Sequence, residues 1–84
     1  MSMYWYVYMV QCNDGSLYTG VTTDVARRVR EHNGEFKNKG SKYTKARRPV
    51  ALVYSKRKKN RSYAQTEEAK LKKLKREQKV LLIK

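Results

Sequence analysis

Residues 4 to 22 constrain the fold more than any other stretch. Tyr4-Trp-Tyr-Val-Tyr-Met-Val-Gln-Cys12 is aromatic and β-branched, Asn13-Asp-Gly15 is a turn signal, and Ser16-Leu-Tyr-Thr-Gly-Val-Thr22 resumes as a second strand. Two such runs around a Gly-containing turn predict a β-hairpin. Loop length decides which side chains share a face, because a one-residue slip inverts every side chain. A two-residue loop, Asp14-Gly15, sets Asn13 against Ser16 and puts Tyr8 and Tyr18 on opposite faces. A three-residue loop with Gly15 left-handed pairs Cys12 with Ser16, Val10 with Tyr18 and Tyr8 with Gly20. Tyr8 and Tyr18 are then diagonal neighbours, roughly 7 to 8 Å apart at the backbone. In that register Tyr4 and Tyr6 share their face, Trp5, Val7, Met9, Leu17 and Val21 form a core face, and Gly20 leaves open space opposite Tyr8 where a phosphate approaches.

Further along, Thr23 or Asp24 caps a helix running to about Asn33, with Val25, Val29 and His32 at helical spacing and Gly34 as its stop. Glu35 to Thr44 is rich in Gly, Lys and Asn and reads as a mobile basic loop, ending in a turn of helix around Tyr43 to Ala46. Pro49 leads into a third strand, Val50 to Ser55, which the charged stretch Lys56 to Arg61 ends. A helix starts at Arg61 or Ser62 and runs through Leu71. A last helical stretch, Leu74 to Ile83, has Leu74, Val80, Leu81 and Ile83 as its apolar contacts. The expected fold class is α+β, an αβ sandwich: a small three-stranded antiparallel sheet that begins with a β-hairpin and is flanked by helices. The 84 residues form one domain, 1–84, with a small core.

Charge narrows the function classes. The net charge is +14, and Lys37 to Lys84 carry eighteen basic and three acidic residues, against three and four in Met1 to Phe36. A basic half of this density calls for an anionic partner, and nucleic acid fits because phosphates engage many Lys and Arg together and release counterions. No apolar run reaches the roughly 20 residues that span a bilayer, and Met1 to Cys12 lacks the features of a signal peptide, so no membrane partner and a cytoplasmic location are expected. One cysteine and one histidine exclude an internal disulfide and a Cys/His zinc set.

Three segments in order carry a resemblance: Tyr6-Val-Tyr8, Tyr18-Thr-Gly20 and Asp24-Val-Ala-Arg-Arg28-Val-Arg-Glu-His32. Together they resemble the GIY, YIG and following helix of the GIY-YIG nucleases. Ser41-Lys-Tyr-Thr44, Arg47-Arg-Pro-Val50 and Ser62 to Lys79 are similar to the small single-domain bacterial members. The chain departs from the pattern at Tyr6, where Gly is usual, at Thr19, where an aliphatic residue is usual, and in having no equivalent of the asparagine some members carry after the glutamate helix.

The resemblance implies catalytic roles for Tyr8, in activating a water nucleophile, for Tyr18 and Arg28, in contacting the scissile phosphate, and for Glu68, in holding one Mg²⁺ or Mn²⁺. His32, four residues beyond Arg28 on a similar face, is a secondary candidate. A guanidinium and a hard cation suit phosphodiester displacement, which builds charge on the phosphoryl oxygens. One carboxylate is enough for Mg²⁺, which keeps several waters. Helical spacing places Arg28 inward and Arg27 and Arg30 on the flanks. It does not choose between Glu67 and Glu68, which lie about 50° either side of the Ala64, Leu71 stripe; the resemblance selects Glu68. Arg27, Lys42, Lys45, Arg47, Arg48 and Lys72 are the candidate nucleic-acid contacts. The expected function is a metal-dependent endonuclease on DNA, in preference to RNA, or on structured nucleic acid, with a place in DNA repair or recombination, a monomeric state and a recruiting protein partner. The alternative is a weakly active or non-catalytic nucleic-acid-binding module of the same fold.

Overall fold

The hairpin adopts the three-residue loop. In the computed structural model, which describes residues 4–83 and leaves residues 1–3 and 84 of the expected domain outside, β1 (Trp5–Gln11) and β2 (Leu17–Thr22) pair antiparallel with Tyr8 opposite Gly20 and Val10 opposite Tyr18. Gly15 has φ +85°, the left-handed value this loop requires. The Cys12 N–H donates to Ser16 O at 2.8 Å, and the Asp14 carboxylate accepts from the Ser16 N–H and hydroxyl at 3.0 and 2.6 Å.

Strand β3 (Ala51–Lys58) pairs antiparallel with the other edge of β1, giving the order β2-β1-β3. It continues three residues past the predicted end at Ser55. Charge did not stop it because β3 is an edge strand whose long basic side chains reach solvent or aromatic partners while the backbone pairs with β1. Lys58 lies opposite Trp5, and the Arg57 guanidinium sits 4.4 Å from the Tyr4 ring centroid. The register shifts between Met9 and Val10, which face Tyr54 and Leu52, so Val53 is the extra residue of a bulge.

Helix α1 (Val25–His32) starts on Asp24, whose carboxylate accepts from the Arg27 N–H at 3.0 Å. It ends with Gly34 N–H on Glu31 O and Glu35 N–H on Arg30 O, the paired bonds of a Schellman stop. Its inward residues are those the spacing predicts: Val25 and Val29 pack on Tyr8, Val10, Cys12 and Val50, and His32 is buried. The short α2 (Lys42–Lys45), close to the predicted turn, is capped by Ser41.

Helix α3 (Arg61–Lys73), capped by Asn60, packs on β1 and β2 from the other side. Arg61 lies over Trp5, and Lys58 pairs with Glu67 at 3.5 Å, which fixes α3 on the Trp5 face of the sheet. Both sheet faces are therefore covered. Tyr8 and Val10 are as buried as Val7 and Met9, where the sequence pattern had assigned the core to the second pair's face alone. The last helix, α4 (Arg76–Leu82), buries no residue. Val80 and Leu81, expected as apolar contacts, are exposed, while Leu74 and Ile83 are half-buried. Among the described residues no helix is long and apolar enough to cross a membrane.

Candidate functional site

The space over Gly20 is filled. A Cβ there would lie 2.6 Å from the Tyr8 hydroxyl and 2.8 Å from Cζ, so the Tyr8 ring lies flat across the glycine of the facing strand. This corrects the expectation of an open phosphate approach at Gly20: the missing side chain admits the phenol itself. Because β2 is an edge strand, crossing it carries the Tyr8 hydroxyl to the rim of the sheet.

There the hydroxyl meets His32 Nε2 at 2.7 Å. His32 Nδ1 lies 2.7 Å from the Thr44 hydroxyl, and His32 and Thr44 are both fully buried. The last turn of α1 that carries His32 is braced twice. Arg48 Nε donates to His32 O at 2.7 Å, and the Asn33 side-chain amide accepts from Val50 N–H at 2.7 Å and donates to Val50 O at 3.0 Å.

Arg28 completes the cluster. Its guanidinium donates to Glu31 at 2.9 Å, and Glu31 also receives Arg27 at 3.3 Å. Burial works against the Arg28 charge, but its hydrogen bond to Glu31 and the nearby Tyr8 outweigh it and the net shift is upward. The bond from Arg28 holds the Glu31 carboxyl below the usual carboxylate range. Burial pushes Tyr8 up to about 12; the nearby Arg28 guanidinium opposes, while Tyr18 and Glu68 add to the rise. Burial and then the Arg28 charge lower His32 to about 4, so its ring is neutral at pH 7.

Tyr18 reaches the cluster through its ring, edge-on to His32 at 5.1 Å between centroids. Its outer side stacks on Tyr43 at 5.7 Å, and Arg47 covers Tyr43 at 4.0 Å. Arg47 is in turn held by Asp14 at 3.1 Å and by Tyr43 O at 2.9 Å. The hairpin loop, α2 and α1 thus meet in one aromatic column.

The placement of α3 separates the two glutamates that helical spacing could not. Glu67 is drawn toward β3 by Lys58, whereas Glu68 is the one whose charge is felt at Tyr8. Glu68 pairs with Lys72 at 3.2 Å, with 22% of its side chain accessible. Among the described residues no group of three His, Cys, Asp or Glu could cage a metal. A single accessible carboxylate such as Glu68 does suit Mg²⁺ or Mn²⁺, ions that retain waters and take few protein ligands. Its partner Lys72 is more than half exposed, so the pair is weak enough to open.

Of the basic residues singled out, Lys42 and Lys45 are exposed, Arg27 is exposed with its guanidinium 5.2 Å from the Phe36 ring, and Lys72 is committed to Glu68. Arg47 and Arg48 are half-buried braces, spent on Asp14 and on the His32 carbonyl. Sequence reasoning missed Glu31, Asn33 and Thr44. Glu31 had a usable signal, three and four residues beyond Arg28 and Arg27 on one helix. So did Thr44, three residues after a capping serine. Asn33 had none, because its partner Val50 is seventeen residues away.

The sequence profile of the GIY-YIG catalytic domain matches residues 4–80. The chain belongs to the GIY-YIG family. Similar proteins include the UPF0213 protein DP2720 of Desulfotalea psychrophila, 50% identical over 80 residues that make up 95% of this chain and 71% of that one. The UPF0213 protein HQ_3675A of Haloquadratum walsbyi is 52% identical over 79 residues, 94% of this chain and 85% of that one. Among solved structures, the solution NMR structure of the UPF0213 protein BH0048 from Bacillus halodurans superposes with a TM-score of 0.58 at 42% identity, covering 95% of this chain and 82% of that one. That of EF2693 from E. faecalis gives 0.61 at 35% identity, covering 96% and 84%. GIY-YIG membership places the chain in a nuclease superfamily whose members generally depend on divalent metal and bind nucleic acid.

Proposed function

We propose that this chain is a divalent-metal-dependent endonuclease acting on DNA or structured nucleic acid, working as one monomeric module over residues 1–84 in the cytoplasm, in DNA repair or recombination, with a protein partner for recruitment. The observation that carries the reading is the convergence on one hydroxyl: Tyr8 is hydrogen-bonded to His32 and feels the charges of Arg28 and Glu68. Arg28, pinned by Glu31, offers a preorganised guanidinium to a phosphoryl oxygen, and pinning removes the cost of reorganising it during reaction. Tyr18, held between His32 and Tyr43, presents its hydroxyl from a fixed ring. Tyr8 passes its proton to the neutral His32 as it accepts one from the attacking water. Glu68 would hold a divalent cation, which when bound would supply Lewis-acid stabilisation of the charge that develops on the phosphate.

One observation favours a second reading, a binding module that cuts slowly: Tyr8 is 1% exposed and its pKa stands at about 12. Wild type, Glu68→Ala and Tyr8→Phe, assayed on plasmid, branched DNA and RNA with Mg²⁺, Mn²⁺ or chelator, distinguish the two. The nuclease reading expects metal-dependent cutting that falls about 100-fold or more in both variants, with DNA binding by fluorescence anisotropy retained. Equal residual cutting by all three proteins would overturn it.

A further inference from the structure

The Ser41-x-x-Thr44 motif does more than cap α2. We propose that Thr44 is a positioning residue that fixes the buried His32 as the tautomer with its proton on Nδ1, leaving Nε2 bare to accept the Tyr8 proton. The inference rests on the nuclease reading for its consequence, and on hydrogen-bond accounting for its geometry.

That accounting starts at Tyr8. The Tyr8 hydroxyl feels the charge of Arg28, which has donors only and cannot take its proton. Its own proton is buried and needs an acceptor, and the one the structure offers is His32 Nε2 at 2.7 Å. Were Nε2 protonated, it would donate to the Tyr8 oxygen and the phenol proton would be left unpaired in a buried site, at a cost of about 1 to 3 kcal/mol. A neutral ring with Nε2 bare carries its proton on Nδ1, and Nδ1 faces the Thr44 hydroxyl at 2.7 Å. Thr44 must then accept. Its own proton has the Ser41 carbonyl at 3.3 Å or the Ser41 hydroxyl at 3.0 Å to go to, and the Ser41 hydroxyl accepts the Thr44 N–H at 3.1 Å, which locks the pair together. The capping arrangement thus turns the Thr44 oxygen toward the ring as an acceptor. The role resembles that of a carboxylate behind a catalytic histidine, played here by a neutral hydroxyl.

The chain has one histidine, so its ring nitrogens are readable by ¹⁵N NMR without assignment ambiguity. At pH 7 and without substrate, the proposal expects a protonated Nδ1 and a bare Nε2 in wild type, the same in Thr44→Ser, and a shift toward protonated Nε2 in Thr44→Val. In cleavage assays Thr44→Val should lose about 10- to 100-fold in kcat with KM little changed, and Thr44→Ser should stay near wild type. A protonated Nε2 in wild type overturns the proposal even where Thr44→Val fails to fold. So does an unchanged tautomer in a folded Thr44→Val. The NMR result is independent of activity: the stated tautomer in a protein that cuts nothing would sink the nuclease reading alone, and the opposite tautomer in an active enzyme would sink this proposal alone.

Discussion

His32 makes folding sensitive to acid in a window that other groups leave clear. An exposed imidazole titrates near 6.5, and burial together with the Arg28 guanidinium lowers His32 to about 4 in the folded chain. The unfolded chain therefore binds the proton first as pH falls. Stability from this group is complete above pH 6.5 and is lost as pH drops from 6.5 toward 4. At about 1.4 kcal/mol per pKa unit the gap is worth about 3 kcal/mol when fully expressed, and about 1.4 kcal/mol of it is lost between pH 7.5 and 5.5. Glu31 and Asp14 act lower. Hydrogen bonds from Arg28 and from Ser16 hold their folded values down, so their contributions fade only below ordinary carboxylate values of 4.5 and 3.8.

Urea unfolding at pH 7.5, 6.5 and 5.5 measures the loss, and the His32 ring signal of the folded protein measures the cause. The midpoint should fall steadily across this range in wild type and stay nearly flat in His32→Gln. Titration of His32 near 6.5 in the folded state would refute the reasoning, as would the same slope in both proteins.

Other consequences are equally direct. Gly20→Ala places a methyl 2.6 Å from the Tyr8 hydroxyl in a filled space, and should cost about 1 to 3 kcal/mol and displace the His32 ring signal; a variant as stable as wild type would show that the ring does not lie there. Thr19→Val should stabilise by about 1 kcal/mol, because the Thr19 hydroxyl is buried and has no hydrogen-bond partner among the described residues; a lower thermal midpoint would contradict this. Asn33→Ala strips both partners from the buried Val50 peptide and should cost about 2 kcal/mol or more, with Asn33→Asp, which keeps the acceptor for the N–H, falling between. Equal stability of the three would remove Asn33 from the fold's account.

What could be read from residue order was what local chemistry decides. Asn13, Asp14 and Gly15 set the loop, the loop sets the register, and the register alone brings Tyr8 and Tyr18 to one face. The spacing of Val25, Val29 and His32 likewise settles which side of α1 points inward. The misses depend on contacts between distant segments. The end of β3 was misjudged because Lys56 to Lys58 look like a loop until β1 pairs with them. Glu67 and Glu68 could not be separated within the helix, since the difference between them is which sheet edge each overhangs. Gly20 was read as a gap because a sequence shows the absence of a side chain without showing which neighbour fills it.

The burial that orders this site also makes its base reluctant. With Tyr8 at about 12, the resting phenolate is rarer than the phenol by about five powers of ten at pH 7, equivalent to about 7 kcal/mol. On the nuclease reading, this favours proton transfer to His32 that accompanies attack over a preformed tyrosinate. Arg28 lowers the cost, since its nearby charge favours the anionic oxygen. Glu68 raises it, because its carboxylate charge opposes the phenolate. On the nuclease reading Glu68 helps through the cation it would hold, which would reverse that charge. Neutralising Glu68 should thus make Tyr8 slightly easier to ionise while abolishing metal-dependent cutting, two effects of opposite sign that a purely structural glutamate would not produce.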